Sequence, residues 1–383
     1  MQNSPKGNKE SNNFESANKT EKAFYNLKKN PKKSFLSYVF CHFRIPKITA
    51  KVVAFIALFV LSIIFIFFVC SVLYINKALD SVNYKKTAVS TVAKNSKCNT
   101  KWKRKKNTQV ADEVSKNSKG LYFDNKISNF LVFGLDKHDQ SENGRSDSIL
   151  LLSVDNRHKK IKITSFLRDT LLEIPGHEAE KFNHAHAYGG AELAIETFEK
   201  NFKVKVNKHC EFDFEGFEEV IACVDGITIK LDADECDYIN KFSGSSKKLE
   251  ISNGEKFLDP KQTLCHVRNR NCIDSDIGRT ARQREVIKAV INRFRSANFV
   301  NTISMIFKAL PKITTNFSKE EILKLVSSIP TYLCYEIAEY RLPKSDEYTS
   351  VTKNGMSVLA IDNLDVTRRN FLEFLFESPN ITN

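Results

Sequence analysis

The chain has 383 residues, enough for one large domain or two small ones. Its formal net charge of +14 is unevenly spread: residues 1–120 hold 23 basic and 6 acidic side chains, and the remainder holds 36 and 39. The basic character therefore belongs to the N-terminal third, and the rest is close to neutral. That argues against a globular nucleic-acid binder, which would carry a basic patch on the folded domain itself.

Residues 1–51 are rich in Asn, Lys and Ser, lack a helical period, and are expected to form a basic, mostly disordered tail. Its charge suits anionic lipid, though solvated charge in a disordered segment explains it as well. Val52 to Ile75 follows, 24 residues without a charge between Lys51 and Lys77. A helix of that length spans a hydrocarbon core of roughly 30 Å, and no small-residue cleavage site follows it. One uncleaved transmembrane helix over 52–76 is expected. Eleven Lys/Arg precede it and twelve more lie between Lys77 and Lys119, so charge alone favours a cytoplasmic N-terminus only slightly. Residues 77–120 read as a basic polar stalk.

A globular domain is expected over 121–383, with a core at 127–296 and a C-terminal part at 297–376. Phe130 to Gly134, Ser148 to Val154 and Ile161 to Phe166 have the composition of buried strands. Ala191 to Phe202 has helical spacing after the Gly189–Gly190 break. Phe214 to Val224 predicts a short helix, followed by a strand around Ile227 to Leu231. Arg279 to Arg295 is a long amphipathic helix with apolar Val286, Ile287, Val290 and Ile291. Ser318 with Glu321 is a capping-box signature opening a helix through Ile329, and Asn363 to Phe376 closes the chain with another. This alternation predicts an α/β fold, a central mixed β-sheet flanked by helices, with the strand order left open.

Four clusters place charge at the ends of apolar segments, where binding sites are usually assembled. In the first, Asp136 ends one strand and Arg145-Ser146-Asp147 opens the next. Two carboxylates at facing strand ends suit a hard cation such as Mg²⁺; a turn aspartate and an exposed ion pair are the alternative. The second is Arg168-Asp169 after the third strand, an arginine fork with a carboxylate to orient it, or a structural salt bridge. The third, Lys181 to Gly190, holds His184 and His186 without further metal ligands near in sequence. Its Gly–Gly pair can admit an anion to a helix N-terminus, with a plain loop as the alternative. The fourth is the densest. Arg268 and Arg270 alternate on what reads as an extended segment, and Arg279, Arg282 and Gln283 share one helical face. So many cations in a near-neutral domain point to an anionic partner such as a diphosphate, against the alternative of a charged surface helix.

Nine cysteines show no CxxC or metal-ligand spacing, and seven of them, Cys98 onward, follow the apolar segment. An odd number cannot pair fully within one chain, and the pairing is not readable.

Taken in order, GLD, RSDS, SFLRDT, EIPG, KFNHAHAYGG, FEGF, VRNR and DSDIGRTARQREVI resemble the LytR–CpsA–Psr family over residues 127–296, with 297–376 similar to its C-terminal part. The resemblance implies an α-β-α sandwich and a Mg²⁺-dependent phosphotransferase at the outer face of the cell membrane. Such an enzyme moves a glycopolymer, with one phosphate, from a polyprenyl diphosphate lipid to the muramic acid 6-hydroxyl of peptidoglycan. It implies that Asp136 and Asp147 hold magnesium. It also implies that Arg145, Arg168, Arg268, Arg270 and Arg279 clamp the diphosphate, with Arg282 and Gln283 at the same edge. Arg168, Asp169, Arg268 and Arg270 would form the catalytic set, with Asp136 or Asp169 as proton acceptor, and an apolar pocket would enclose the polyprenyl tail. His266 stands where a Tyr is frequent in the family, and Ala222 and Asp225 where Asp and Gly are. A membrane-anchored binding module without catalysis would lack the carboxylates or the arginines, and all are present. A DNA-binding regulator would need a helix-turn-helix, which the 51-residue tail does not show.

Overall fold

The computed structural model describes residues 114–136, 143–269 and 275–378, and residues 60–85 except for 64, 67, 68 and 70–72. The basic tail, much of the segment Val52 to Ile75, residues 86–113 and Arg270 lie outside the described residues. No helix among the described residues is long and apolar enough to cross a membrane. The chain divides after Tyr74 into two units, and the described residues of the first are helical.

The second unit is built on a seven-stranded sheet. Its strands are β1 (Asn83–Tyr84), β2 (Ile127–Asp136), β3 (Arg145–Asp155), β4 (Lys160–Phe166), β5 (Lys208–Asp213), β6 (Thr314–Thr315) and β7 (Glu336–Leu342). Their order in space is β1-β6-β5-β2-β3-β4-β7. β2, β3 and β4 form an antiparallel meander, while β5 joins β2, and β7 joins β4, in parallel. The sheet is mixed, as the sequence predicts.

Eight helices are named here: α1 (Phe182–Phe202), α2 (Phe214–Cys223), α3 (Ala233–Phe242), α4 (Pro260–Arg268), α5 (Ser275–Ser296), α6 (Phe299–Ala309), α7 (Lys319–Tyr332) and α8 (Leu364–Phe376). Strand alternation divides them between the two faces of the sheet. Leu131, Phe133 and Leu135 of β2 and Ile149 and Leu151 of β3 turn one way, onto α1 and α8. There Phe166 meets Phe182, Phe198 and Phe371 edge to face, a geometry worth about 0.5–1.5 kcal/mol per pair beyond burial. Val132, Leu150 and Leu152 turn the other way, toward Ile287 and Ile291 of α5. The result is a sheet with helices on both faces.

Three local expectations are corrected. The segment expected as the start of a stalk is part of the fold: Leu79 and Val82 are buried against Phe307 and Phe317, and β1 extends the sheet beside β6. Apolar side chains among the lysines, rather than overall composition, decide that placement. The stretch from Phe182 to Tyr188 is helical, not a loop; Gly189 and Gly190 then break the helix, Gly190 with φ of 64°. Arg268 ends a helix instead of lying on an extended segment. Asp259 caps that helix through the Gln262 N–H, Gln262 returns the bond, and Pro260 opens it.

Candidate active site

Two devices bring charged groups to one end of the sheet. The first is a β-bulge between β2 and β3. Gly134 pairs with Ser148 and Leu135 with Ser146, so Asp147 is the extra residue. A bulge re-aims side chains. Here it turns Asp147 toward the same cavity mouth as Asp136, which ends β2 beside Arg145. Gly134 sits at the bulge because a Cβ there would lie 3.0 Å from the Ser148 Cβ.

The second device is the turn after β4. Leu167 N–H donates to the Leu342 carbonyl, Thr170 closes the turn onto Leu167, and the Asn183 N–H at the start of α1 donates to the Arg168 carbonyl. Arg168 is thereby fixed at the sheet edge, and its Nη1 donates to Asp147 Oδ1 at 2.6 Å. Burial draws the Arg168 guanidinium down, but Asp147, with Asp169 and Asp276 nearby, holds it above its ordinary value. Asp169 lies 3.8 Å from Arg168 Nε and accepts more closely from Lys181 Nζ, at 3.1 Å. The closer carboxylate partner of Arg168 is therefore Asp147, where the sequence suggests Asp169.

Behind the mouth lies a cavity of about 820 Å³ between the sheet, α2, α3, α4 and α5. Its mouth carries Asp136, Asp147, Arg268, Arg279 and Gln283. Its walls are apolar, including Val132, Leu150 and Leu152 of the sheet and Val286, Ile287, Val290 and Ile291 of α5. The apolar positions that mark α5 as amphipathic are thus cavity wall as much as core. Arg268 lies over the Phe214 ring, 4.3 Å from its centroid, a cation–π contact that holds the cation at the rim. Arg279 is buried and 3.1 Å from Asp276.

The predicted residues do not all converge. Arg282, expected beside Gln283, does not line the cavity; its Nη2 donates to the Asn269 carbonyl and its Nη1 lies 3.9 Å from Glu235, so it anchors the end of α4. Arg145 is exposed at the first turn of β3 and does not line the cavity. Burial, and after it the Arg145 charge, hold the His184 ring below its ordinary pKa. Sequence analysis missed Lys181 as a partner of Asp169, and Phe214 and Cys265 as parts of the cavity. Only Lys181, the last charge before the α1 apolar run, leaves a signal in the sequence.

For a divalent cation, Asp136 and Asp147 offer hard oxygen donors at one mouth, a set that suits Mg²⁺ with substrate phosphate completing it. The one group of three metal-type ligands among the described residues lies elsewhere, at Asp155, His158 and Glu377. Lys162 Nζ stands 2.7 Å from Asp155 and 2.9 Å from Glu377, so an ammonium already serves those carboxylates. Cys210, Cys223, Cys236, Cys265 and Cys334 carry free thiols, and Cys98 and Cys272 lie outside the described residues.

An arginine and carboxylate rim over a deep apolar cavity defines a site for an amphiphile with an anionic head. A profile of the LytR_cpsA_psr family matches residues 84–370, and the chain belongs to that family. It is 33% identical over 175 residues to the polyisoprenyl-teichoic acid–peptidoglycan teichoic acid transferase TagT of Bacillus subtilis, across 44% of this chain and 53% of that one. The shared stretch thus spans about half of that relative. It is 30% identical over 245 residues to the transferase TagU of Enterococcus faecalis, across 62% of this chain and 76% of that one. The solved structure of TagT bound to LI-WTA superposes with a TM-score of 0.55 at 25% identity, covering 70% of this chain and 97% of that one.

Proposed function

We propose that this chain is a membrane-anchored phosphotransferase that moves a wall glycopolymer, with one phosphate, from a polyprenyl diphosphate lipid to the muramic acid 6-hydroxyl of peptidoglycan. The observation that carries it is the continuity of the apolar cavity with a mouth bearing Arg268, Arg279, Asp136 and Asp147. The relatives, polyisoprenyl-teichoic acid–peptidoglycan teichoic acid transferases, support both substrates. The 24-residue apolar segment at Val52 to Ile75 supports an anchor with the basic tail inside and the catalytic unit outside the cell.

Phosphoryl transfer demands positioning and charge neutralisation more than covalent help. The cavity walls hold the polyprenyl tail, while Arg268 and Arg279 hold the diphosphate at the rim. Arg168, steadied by Asp147, faces the charge that grows on the transferred phosphoryl oxygens. The family resemblance adds Arg145 and Arg270 as further candidates for binding the diphosphate. A magnesium ion bound at Asp136 and Asp147 would supply further neutralisation of the diphosphate. The acceptor hydroxyl attacks the phosphorus that bears the glycan, a new P–O bond forms, and the P–O bond to the lipid phosphate breaks. The products are glycopolymer phosphodiester and polyprenyl monophosphate. The hydroxyl proton passes to Asp169, which lies 3.8 Å from Arg168 Nε and does not line the cavity.

The test uses the full chain in detergent with a synthetic polyprenyl-diphosphate glycan, peptidoglycan fragments and Mg²⁺, followed by mass spectrometry. Transfer that needs magnesium and collapses in Arg268→Ala is expected. Equal, magnesium-independent lipid binding in both proteins without transfer sinks the enzyme and leaves a binding module.

A further inference from the structure

The sheet separates the cavity from a second surface that also reaches Arg168. Lys181 stands at the N-cap of α1, the buried His184 lies in its first turn, and Tyr188 follows one turn later, i+4 from His184. None of the three lines the cavity. Tyr188 is 47% exposed. It is nonetheless held in place. The His177 ring stacks on it with centroids 4.6 Å apart and planes at 19°, and His184 meets it at 5.9 Å and 62°. The His184 ring is kept neutral by burial and by Arg145, and its Nδ1 lies 3.9 Å from Glu180, beyond hydrogen-bond reach. Lys181 Nζ lies 3.1 Å from Asp169, which lies 3.8 Å from Arg168 Nε.

A fixed, half-exposed aromatic ring bordered by hydrogen-bonding groups matches a sugar, whose C–H face packs on a ring while its hydroxyls meet polar neighbours. We infer that Tyr188, supported by His177, is the platform for a sugar ring of the acceptor glycan. The inference rests on the transfer reading above and adds the acceptor side to it. Two glycans are available, the donor polymer and the acceptor, and in-line displacement chooses between them. Attacking and leaving oxygens lie on opposite sides of the transferred phosphorus. The leaving lipid phosphate belongs to the cavity, so the attacking hydroxyl arrives from the side away from it, and Asp169, Lys181 and Tyr188 all lie outside that cavity. The Gly189–Gly190 break ends the helix directly after Tyr188, which leaves that ring at a corner open to an extended polymer. Tyr188 and His177 are positioning residues here; neither touches the reacting atoms.

The test compares full-length wild type with Tyr188→Ala, Tyr188→Trp and His177→Ala, measuring KM separately for lipid-linked donor and for a soluble peptidoglycan tetrasaccharide. Calorimetric binding of the tetrasaccharide without donor is measured beside it. In Tyr188→Ala the acceptor KM is expected to rise about tenfold, as loss of one stacking contact implies, with donor KM unchanged and binding correspondingly weaker. Tyr188→Trp keeps a ring and should restore most of the loss, which separates stacking from misfolding. An unchanged acceptor KM in Tyr188→Ala overturns the inference, and so does a rise confined to the donor KM, which would assign the platform to the donor glycan. If wild type transfers nothing, the transfer reading fails, and the tetrasaccharide titration still decides this one: equal binding by wild type and Tyr188→Ala overturns it.

Discussion

Arg168 Nη1 and Asp147 Oδ1 meet at 2.6 Å, joining the turn after β4 to the bulge in β3. The bulge leaves Asp147 outside the strand register, and this bond ties its carboxylate to the turn. Loss of a hydrogen bond to a charged group costs about 1.5–3 kcal/mol, so Arg168→Ala should lower kcat/KM by roughly one to two orders of magnitude. Arg168→Lys keeps the charge but not the planar fork, and should recover only part of it. Asp147→Asn should lower activity similarly, and the double variant by less than the product of the two losses. Steady-state kinetics on wild type and the four variants test this; multiplicative losses would mean that the two residues act separately.

The apolar cavity predicts a dependence on tail length. Ile287→Trp places a ring into the space beside β3 without touching the arginine rim. Displacing two tail methylenes costs about 1.6 kcal/mol, or somewhat more than tenfold in donor KM. Donors with a long prenyl chain should lose that factor, and donors with a very short one should not. Equal losses for both would place the tail outside the cavity.

Much of this site is readable along the chain because its residues sit where an apolar run ends. Asp136, Asp147, Arg168 and Arg279 are each marked by the strand or helix beside them. What links them is not. The register shift between Gly134 and Leu135 depends on pairing across two strands, and nothing in GLD or RSDS announces it. The same holds for Arg282, whose spacing puts it on the face of Gln283 but whose reach is set by the Asn269 carbonyl. Arg268 differs in kind. Asp259, Pro260 and Gln262 spell a helix start that the polar, alternating appearance of His266 to Arg270 obscures. The burial of Leu79 and Val82 likewise yields to tertiary packing against Phe307, which composition cannot foresee.

Glu211 predicts an acid-sensitive fold. It is buried on β5, 3.2 Å from His209 Nε2, 3.5 Å from His186 Nε2 and 3.1 Å from Lys85 Nζ. Burial pushes its carboxyl up, but the two imidazoles and the ammonium outweigh that and hold it far below the usual glutamate range. A depressed carboxylate stabilises the fold fully above its unfolded pKa, about 4.3, and that contribution is lost as pH falls from there toward the folded value. Glu211→Gln should therefore cost about 1–3 kcal/mol at pH 7. The difference from wild type should shrink below about pH 4. Urea denaturation at the two pH values measures it; a gap that stays constant would show that Glu211 acts by shape alone.

Cys265 offers a direct report on occupancy of the cavity. Its thiol lines the wall on α4, and burial raises its pKa despite the nearby Arg268 charge, which pulls the other way. Because the thiolate is the reactive form, alkylation should be slow at neutral pH and quicken as pH rises. Cys334 is exposed and outside the cavity, so it serves as the reference within the same protein. Adding a polyprenyl phosphate should suppress alkylation of Cys265 and leave Cys334 unaffected, as read from the two peptides by mass spectrometry. The suppression should disappear with an isoprenoid too short to pass the arginine rim. Labelling of Cys265 at an undiminished rate in saturating lipid would mean that the apolar space behind Arg268 does not receive the tail, and the assignment of donor and acceptor sides would fall with it.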